Sequence, residues 1–319
     1  MAGGADTDRE TTSFPPMSEA PIIATSDLRF AYGDIVAIDG VSLEIPSGRI
    51  GLVGANGAGK TTLLKILLGV LPAASGRVEV LGHPVATERL EVRSKVGWMP
   101  ESNCLPPDQT AADFLGYAAE LGGLPVRAAR QRASDVLGLV GLHEERFRYI
   151  GEFSTGMKQR TKLAQAIVHD PSLVLLDEPT SGLDPEGREE MLDLVTRLQG
   201  FGINAVISSH VLTDIERTCD WVIMLDGGKV LRSGPLTDLS TTDEVELEVI
   251  GDAAMVAAAA RRLGATVEVT GTVLHLTSAG GDAFAIARDA LVEAAVPLRR
   301  LGAKRTTLED VFMGEGSND

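Results

Sequence analysis

Residues 54–61 read GANGAGKT and stand between a short apolar run, IGLV, and a segment with helical apolar spacing, TTLLKILLGVL. The pattern G-x-x-x-x-G-K-[ST], with a strand before it and a helix after it, is typical of a loop that wraps around phosphate groups. The alternative is a glycine-rich turn with an exposed lysine, which the strand and helix on either side disfavour. The loop therefore predicts an α/β fold with an anion site at the start of a helix.

Each residue type in this loop suits phosphate binding. Glycines let backbone N–H groups approach phosphate oxygens closely, and the N-terminus of the following helix carries a partial positive charge. Lys60 is expected to reach the terminal phosphates, and the Thr61 hydroxyl is expected to bind magnesium. The residues predicted to bind the phosphate-bearing ligand are Asn56, Gly57, Gly59, Lys60, Thr61 and Thr62.

A second acidic element lies in the segment LVLLDEP. Four apolar residues, Leu173 to Leu176, predict a buried strand, and Asp177 and Glu178 follow at its carboxyl end. Open α/β sheets bind ligands at that edge, so we expect both carboxylates to lie near the phosphate loop. Asp177 would hold magnesium through water, and Glu178 would polarise a water molecule for attack on the γ-phosphate. A solvated Asp-Glu turn is the alternative, and the upstream loop favours the catalytic interpretation.

The net charge limits the kinds of partner to expect, and the cysteine content limits the redox environment. The chain carries 29 basic and 45 acidic side chains among 319 residues, a formal net charge of -16. Binding to a nucleic-acid backbone relies on clustered Lys and Arg, so no nucleic-acid partner is expected. The two cysteines, Cys104 and Cys219, lack metal-ligand spacing. They favour a reducing cytosol over a disulfide framework or a zinc site.

Neither an export signal nor a membrane span is expected. The first residues, MAGGADTDRE, are polar and acidic, whereas a secretory signal needs a basic start and an apolar core. The longest apolar stretches, at 63–71 and 253–260, fall short of the roughly 18 to 20 residues that cross a bilayer. We therefore expect a cytoplasmic protein.

Three regions are predicted along the chain. Residues 1–21 are polar, lack periodicity and are expected to form a flexible tail. Residues 22–240 alternate buried strands with helices and predict a mostly parallel sheet covered on both faces, with a helical subdomain at about 101–165. Residues 241–319 have the pattern strand, helix, two strands, helix, strand, which predicts a small α+β domain.

Two helices are predicted between about Pro106 and Val140, in TAADFLGYAAELGG and VRAARQRASDVLGLVGL. Thr110 and Asp113 have the spacing of a capping box, with Asp in place of the usual Glu. We interpret this stretch as a helical insertion between strand-rich parts of the chain.

Further segments follow in a familiar order, and residues from about 22 to 240 resemble the ATP-binding subunit of an ABC (ATP-binding cassette) transporter. The resemblance rests on Tyr32, GANGAGKT, WMPE, FSTGMKQR, LVLLDEP followed by SGLD, and SSH. It implies a P-loop ATPase core with a helical subdomain, and it implies ATP and Mg²⁺ as the bound species.

Several residue roles follow from the resemblance alone. Tyr32 looks like the residue whose ring stacks on adenine. Ser154 and Gly156 resemble the signature segment that contacts the γ-phosphate of ATP held by a second copy, and the free N–H groups of a helix start suit that anion. His210 resembles the switch histidine at the γ-phosphate, and Asp184 the residue that communicates across the dimer. Taken alone, Tyr32 is an ordinary strand tyrosine, Ser154 a helix cap and His210 a structural histidine.

Glu101 departs from the family pattern, in which most members have Gln. A carboxylate also binds magnesium, but it donates no hydrogen bond unless it is protonated. The predicted magnesium ligands are therefore Thr61, Glu101 and Asp177, with the coordination and the coupling to the membrane partner left open. FSTGMKQR at 153–160 has Thr155 where the commoner form of the signature has Gly. This variant, Glu101 and LEDVF at 308–312 resemble the branch associated with drug and sodium export, and the direction of transport rests on that analogy.

The resemblance implies a transport ATPase. ATP binding would close a homodimer around two nucleotides, and hydrolysis through Glu178 and His210 would reopen it while a separate transmembrane permease changes access. The helical insertion at about 101–151 would contact that permease, which would hold the protein at the cytoplasmic face of the inner membrane. A soluble ATPase of the same family acting on ribosomes or DNA is the alternative. The single phosphate loop and the lack of a long coiled-coil pattern disfavour it. The C-terminal region is expected to be structural or to support the dimer, ahead of small-molecule sensing.

Overall fold

The computed structural model describes residues 20–278 and 282–305. The strands in these ranges are β1 (Ile23–Tyr32), β2 (Ile35–Ile45), β3 (Arg49–Val53), β4 (Ser75–Val80), β5 (His83–Pro84), β6 (Val96–Met99), β7 (Leu173–Asp177), β8 (Asn204–Ser209), β9 (Trp221–Asp226), β10 (Lys229–Pro235), β11 (Thr241–Val249), β12 (Thr266–Thr270), β13 (Val273–Thr277) and β14 (Leu298–Arg305). The helices are α1 (Lys60–Leu67), α2 (Arg89–Lys95), α3 (Ala111–Leu121), α4 (Val126–Leu139), α5 (Thr155–Ile167), α6 (Pro185–Leu198), α7 (Leu212–Thr218), α8 (Leu236–Ser240), α9 (Ala253–Arg262) and α10 (Ala283–Ala294).

A six-stranded sheet with the order β10-β9-β3-β8-β7-β6 carries the site. Neighbouring strands in it are parallel, except that β10 pairs antiparallel with β9. Parallel strands need crossover connections, and α1, α5 and α6 lie in the connections between strands of this sheet. The carboxyl ends of β3, β7 and β8 therefore meet at one edge. The predicted α/β class with a mostly parallel sheet is confirmed.

Alternate residues of β7 enter two different cores. Leu173 and Leu175 pack with residues of α1, whereas Val174 and Leu176 pack with residues of α3, α4 and α5. Successive side chains of a strand point to opposite faces, so a sheet covered on both sides needs the continuous apolar run that the sequence shows.

A separate antiparallel sheet, β2-β1-β4-β5, packs over the core that contains α1. The sequence pattern does not indicate that these strands form a sheet of their own. β1 and β2 pair along most of their length with several register irregularities. Such bulges let an edge strand bend, and they are set by packing and not by local sequence.

The predicted capping box at the start of α3 forms only in part. Thr110 Oγ1 accepts a hydrogen bond from the Asp113 backbone N–H at 3.1 Å, as a cap should. The Asp113 carboxylate accepts from the Thr110 hydroxyl at 2.7 Å and does not reach back to its backbone N–H. Asp is one methylene shorter than the Glu of the usual box, which explains the difference.

The C-terminal part has the predicted element order, β11-α9-β12-β13-α10-β14, up to residue 305. Its antiparallel sheet, in the order β12-β13-β11-β14, shares a core with α9 and α10. The domain boundaries at 21/22 and 240/241 stay predictions. Most of the predicted N-terminal tail, residues 1–19, and the LEDVF motif lie outside the described residues. Among the helices of the described chain, none is both long enough and apolar enough to span a bilayer.

Candidate functional site

The glycines of the 54–61 loop have two different functions. A Cβ on Gly54 would lie 2.3 Å from the Leu225 carbonyl oxygen, and a Cβ on Gly59 would lie 2.5 Å from the Ala37 carbonyl oxygen. Close packing against backbone therefore requires both glycines. Gly57 has a φ of +87°, and a Cβ there would meet nothing within 4 Å. The open space beside Gly57 is where a ligand can approach the loop.

Lys60 lies inside the loop it belongs to. Its Nζ donates to the carbonyl oxygens of Gly54, at 2.7 Å, and Ala55, at 3.2 Å, and lies 3.9 Å from Glu178 Oε1. The side chain is buried. A buried ammonium needs hydrogen-bond acceptors and negative charge around it, and the loop carbonyls and Glu178 supply both.

Thr61 and Asp177 are in direct contact. Thr61 Oγ1 donates to Asp177 Oδ2 at 2.8 Å, and Ser208 Oγ donates to Asp177 Oδ1 at 2.7 Å. Asp177 is fully buried, so these hydroxyls satisfy both of its oxygens. The sequence predicted Thr61 and Asp177 as magnesium ligands near each other, but it did not predict Ser208, whose only signal was its place in SSH before His210.

Glu178 has a backbone conformation that is uncommon for its residue type. Its φ of +50° lies in the left-handed region. Its N–H bonds to the backbone oxygen of Ser208 at 3.2 Å and to the Ser208 hydroxyl at 3.0 Å. This conformation turns Glu178 away from the strand direction of β7, at a cost of about 1 to 3 kcal/mol that the surrounding hydrogen bonds offset.

The Glu178 side chain contacts His210. His210 Nδ1 lies 2.9 Å from Glu178 Oε2, across the ends of β7 and β8. Burial raises the pKa of Glu178 above its ordinary value, and the neighbouring His210 and Lys60 reduce that rise. The negative charge of Glu101 adds to it. A carboxylate with a raised pKa is a better proton acceptor, which is what a general base requires.

One cavity of about 540 Å³ is lined by all the predicted site residues except those assigned to contacts with a second copy. An exposed aromatic ring lies at its outer side, where Tyr32 packs edge-on against Phe30 with ring centroids 4.9 Å apart. Exposed Ile35 and Val36 extend this apolar wall and were not predicted. The predicted residues that line the cavity are Tyr32, Asn56, Gly57, Gly59, Lys60, Thr61, Thr62, Glu101, Asp177, Glu178 and His210.

The three residues that the family resemblance assigned to contacts with a second copy lie in a different cleft, of about 550 Å³. Ser154 Oγ accepts from the Met157 N–H at 3.2 Å and caps α5, and Gly156 lies in the first turn of that helix. Asp184 Oδ1 accepts from the Gly187 N–H at 2.9 Å and caps α6. The cleft thus combines the starts of two helices, whose dipoles place partial positive charge there, with acidic side chains such as that of Asp184.

Two buried polar residues near the site were not predicted. Asp214 accepts from Thr180 Oγ1 at 3.0 Å and from Arg188 Nε at 2.7 Å, which fixes the segment after Glu178. Lys162, on α5, donates to the backbone carbonyl oxygens of Pro100 and Glu101. The only sequence signal for Lys162 was a charged residue placed directly before the largely apolar run LAQAI.

A phosphate loop before α1, two carboxylates at the end of β7 and a histidine after β8 define a P-loop nucleotide-binding protein with an α/β core. Residues 38–181 match the family described as ABC transporter. The chain belongs to the ATP-binding subunits of ABC transporters, and the fold and family predicted from the sequence are confirmed.

Similar proteins extend this match over most of the chain. The daunorubicin resistance ATP-binding protein DrrA3 of Streptomyces coeruleorubidus is 34% identical over 295 residues, which are 88% of this chain and 92% of that protein. The Nod factor export ATP-binding protein I of Burkholderia orbicola is 36% identical over 219 residues, which are 68% of this chain and 72% of that protein. Among solved structures, cbiO1 of Clostridium perfringens, part of the ABC transporter complex cbiONQ, has a TM-score of 0.64 at 27% identity. That match covers 69% of this chain and 91% of that one.

Proposed function

We propose that this ATP-binding subunit hydrolyses magnesium-bound ATP and so drives a separate transmembrane exporter. The observation that carries the proposal is the single cavity in which a phosphate loop faces Glu178 and His210. A buried carboxylate with a raised pKa beside an anion site is the arrangement that activation of water needs.

One end of the cavity fits the adenine ring, and the other end fits the phosphates. At the outer side, the exposed ring of Tyr32 would stack on adenine, next to the apolar wall of Ile35 and Val36. Along the loop, the N–H groups around Gly57 and the start of α1 would bind phosphate oxygens. Lys60 would exchange its carbonyl contacts for the terminal phosphates, and Asn56, Gly59 and Thr62 would complete this end.

The residues at the phosphate end fit magnesium. Thr61, Asp177 and Glu101 offer a hydroxyl and two carboxylates, the oxygen ligands that this ion prefers. Magnesium when bound would neutralise charge on the phosphates. Asp177 is already oriented for this purpose, because Thr61 and Ser208 hold both of its oxygens.

Glu178 would accept the proton of the attacking water. The hydrogen bond from His210 orients the Glu178 carboxylate, and Lys60 lies on the other side of the same group. His210 would also face the γ-phosphate. The chain thus supplies a base, an orienting partner and a cation around one small volume.

A second copy of the chain would complete the site. Ser154, Gly156 and Asp184 line a cleft separate from the one that contains Lys60, so one chain does not use both clefts for the same phosphate. In a head-to-tail homodimer, the helix-start cleft of each copy would cover the phosphate loop of the other. Closure by ATP and reopening by hydrolysis follow from that arrangement.

Export by way of a permease is inferred from the relatives. Proteins named for daunorubicin resistance and Nod factor export are among those that this chain resembles over most of its length. We infer that the permease is a separate membrane protein, that the helical insertion contacts it, and that the protein lies at the cytoplasmic face of the inner membrane. Action on ribosomes or DNA finds no support among these relatives.

Two substitutions test the proposal. Glu178→Gln keeps the size of the side chain but removes the base, so we expect normal ATP affinity, a stable closed dimer and hydrolysis reduced by about a hundredfold or more. Lys60→Ala should lose tight ATP binding. Nucleotide affinity by fluorescence, dimer formation by light scattering and phosphate release would be measured on the same samples. Full hydrolysis by Glu178→Gln, or by a strictly monomeric protein, would overturn the mechanism.

A further inference from the structure

Lys162 forms an unusual set of contacts inside the protein. Its side chain is almost fully buried on α5, the helix that begins after the Ser154 cap. Its Nζ donates to three consecutive backbone carbonyl oxygens, those of Pro100 at 2.8 Å, Glu101 at 2.9 Å and Ser102 at 3.5 Å. We call residues 100–102 the Glu101 segment; it follows β6, about 60 positions before Lys162 in the sequence.

The chemistry of the ammonium group matches these three acceptors. A lysine has three N–H donors and no acceptor, so one donor is available for each carbonyl. Burial lowers the pKa of Lys162, and the neighbouring acidic groups Cys104, Glu101 and Asp177 oppose that shift. A charged group is costly to bury without partners, so the carbonyl contacts are what keep Lys162 in place.

The Glu101 segment is therefore hydrogen-bonded to α5 through its backbone, while its Glu101 side chain faces the site. Its carbonyls bond to Lys162, whereas the Glu101 side chain lines the cavity that contains Lys60 and Glu178. Removing the ammonium would leave three carbonyls without their donor and release the segment that carries this carboxylate.

The same helix contacts a second segment of the site. Gln159 Nε2, on α5, donates to the Ser181 backbone oxygen at 2.9 Å, between Glu178 and Asp184 in the sequence. Thus α5 is hydrogen-bonded both to the Glu101 segment and to the chain just after Glu178, and its own start lies in the helix-start cleft. Lys162 provides the link on the Glu101 side.

We propose that Lys162 is a positioning residue that ties the Glu101 segment to α5 and thereby holds the Glu101 carboxylate at the magnesium end of the cavity. The role of Glu101 at magnesium rests on the proposed function. The tie between Lys162 and residues 100–102 rests on the hydrogen bonds alone.

Limited proteolysis tests the tie without any ligand. Lys162→Met keeps an unbranched side chain of similar length and removes the donors, so cleavage after Glu101 by a glutamate-specific protease, identified by fragment mass, should be about tenfold faster or more. Lys65→Met, on α1, removes a lysine that makes none of these contacts and should leave that cleavage rate unchanged. If Lys162→Met does not fold, Lys162→Gln keeps one donor group and should give a smaller increase. An unchanged rate of cleavage after Glu101 in the folded variant would overturn the proposal.

A magnesium titration tests the positioning role. ATP binding would be followed by a fluorescent ATP analogue while magnesium chloride is added to wild type, Lys162→Met, Glu101→Ala and the double variant. Lys162→Met should raise the half-saturating magnesium concentration by about tenfold. In the Glu101→Ala background it should cause no further change.

The outcomes separate the two ideas. An equal effect of Lys162→Met with and without Glu101 would show that the lysine acts elsewhere and would overturn the positioning role. Wild-type binding that does not depend on magnesium would contradict the proposed metal site and, with it, the positioning role. The rate of proteolysis after Glu101 would still decide whether Lys162 ties the segment to α5.

Discussion

Thr61 Oγ1 and Asp177 Oδ2 are 2.8 Å apart, although the two residues are separated by 116 positions in the sequence. Thr61 is the second residue of α1, and Asp177 is the last residue of β7. This hydrogen bond therefore joins the phosphate loop to the acidic end of the strand. Ser208 holds the other oxygen of the same carboxylate. Thr61 and Asp177, two of the three predicted magnesium ligands, are therefore oriented by each other.

We expect substitution of Thr61 to act through magnesium. Thr61→Ser keeps the hydroxyl and should retain magnesium-dependent ATP affinity. Thr61→Val keeps the shape but leaves Asp177 one donor short, and it should weaken that affinity by about tenfold to a hundredfold. ATP titrations with magnesium and with a chelator would measure the difference. An equal loss in the chelator would contradict a role at the metal.

The pH dependence of hydrolysis should reflect the raised pKa of Glu178. The base works as the carboxylate, so activity falls as the pH drops through that pKa. Because burial raises it, the acid limb should lie above the ordinary glutamate value of 4.5. His210 lowers this pKa, so His210→Gln should move the limb to higher pH as well as reduce the rate. A pH profile of kcat/KM would show both effects. A limb that moves to lower pH in the variant would contradict this assignment.

Local pattern was enough to predict the phosphate loop and the two carboxylates of the main cavity. Glycines, lysine and threonine in the loop, and the two carboxylates after an apolar strand, are placed by rules that act over a few residues. Parallel strands then bring their carboxyl ends to one edge, which is why Lys60 and Glu178 meet although they are far apart in the chain.

Contacts set by tertiary packing could not be predicted in this way. The sequence does not reveal that Asp214 accepts hydrogen bonds from Thr180 and Arg188, or that Lys162 donates to three carbonyls, because each contact depends on how separate elements pack. Nor does it reveal that Ser154 and Asp184 share a cleft apart from Lys60. The register irregularities between β1 and β2 belong to the same class.

Packing also makes Gly97 essential. A Cβ at this position of β6 would lie 1.9 Å from the Ala166 carbonyl oxygen on α5, and backbone atoms cannot yield as side chains do. Gly97→Ala should therefore lower the free energy of unfolding by about 3 kcal/mol or more. Gly116→Ala is the matched control, because a Cβ there meets nothing within 4 Å and the residue lies inside α3. It should raise stability by about 0.5 to 1 kcal/mol. Denaturant unfolding would measure both, and a neutral Gly97→Ala would refute the close contact.

The two cysteines should differ in reactivity because only one is deeply buried. Burial raises the pKa of the Cys219 thiol to about 12, and the side chain is almost inaccessible. At pH 8 its thiolate fraction is therefore about one in ten thousand, and the thiolate is the reactive form. Cys104 is exposed, although partial burial also raises its pKa. A disulfide reagent should label one thiol in the native protein and two after denaturation. Native Cys104→Ser should stay unlabelled, and rapid labelling of that variant would show that Cys219 is not held in the core.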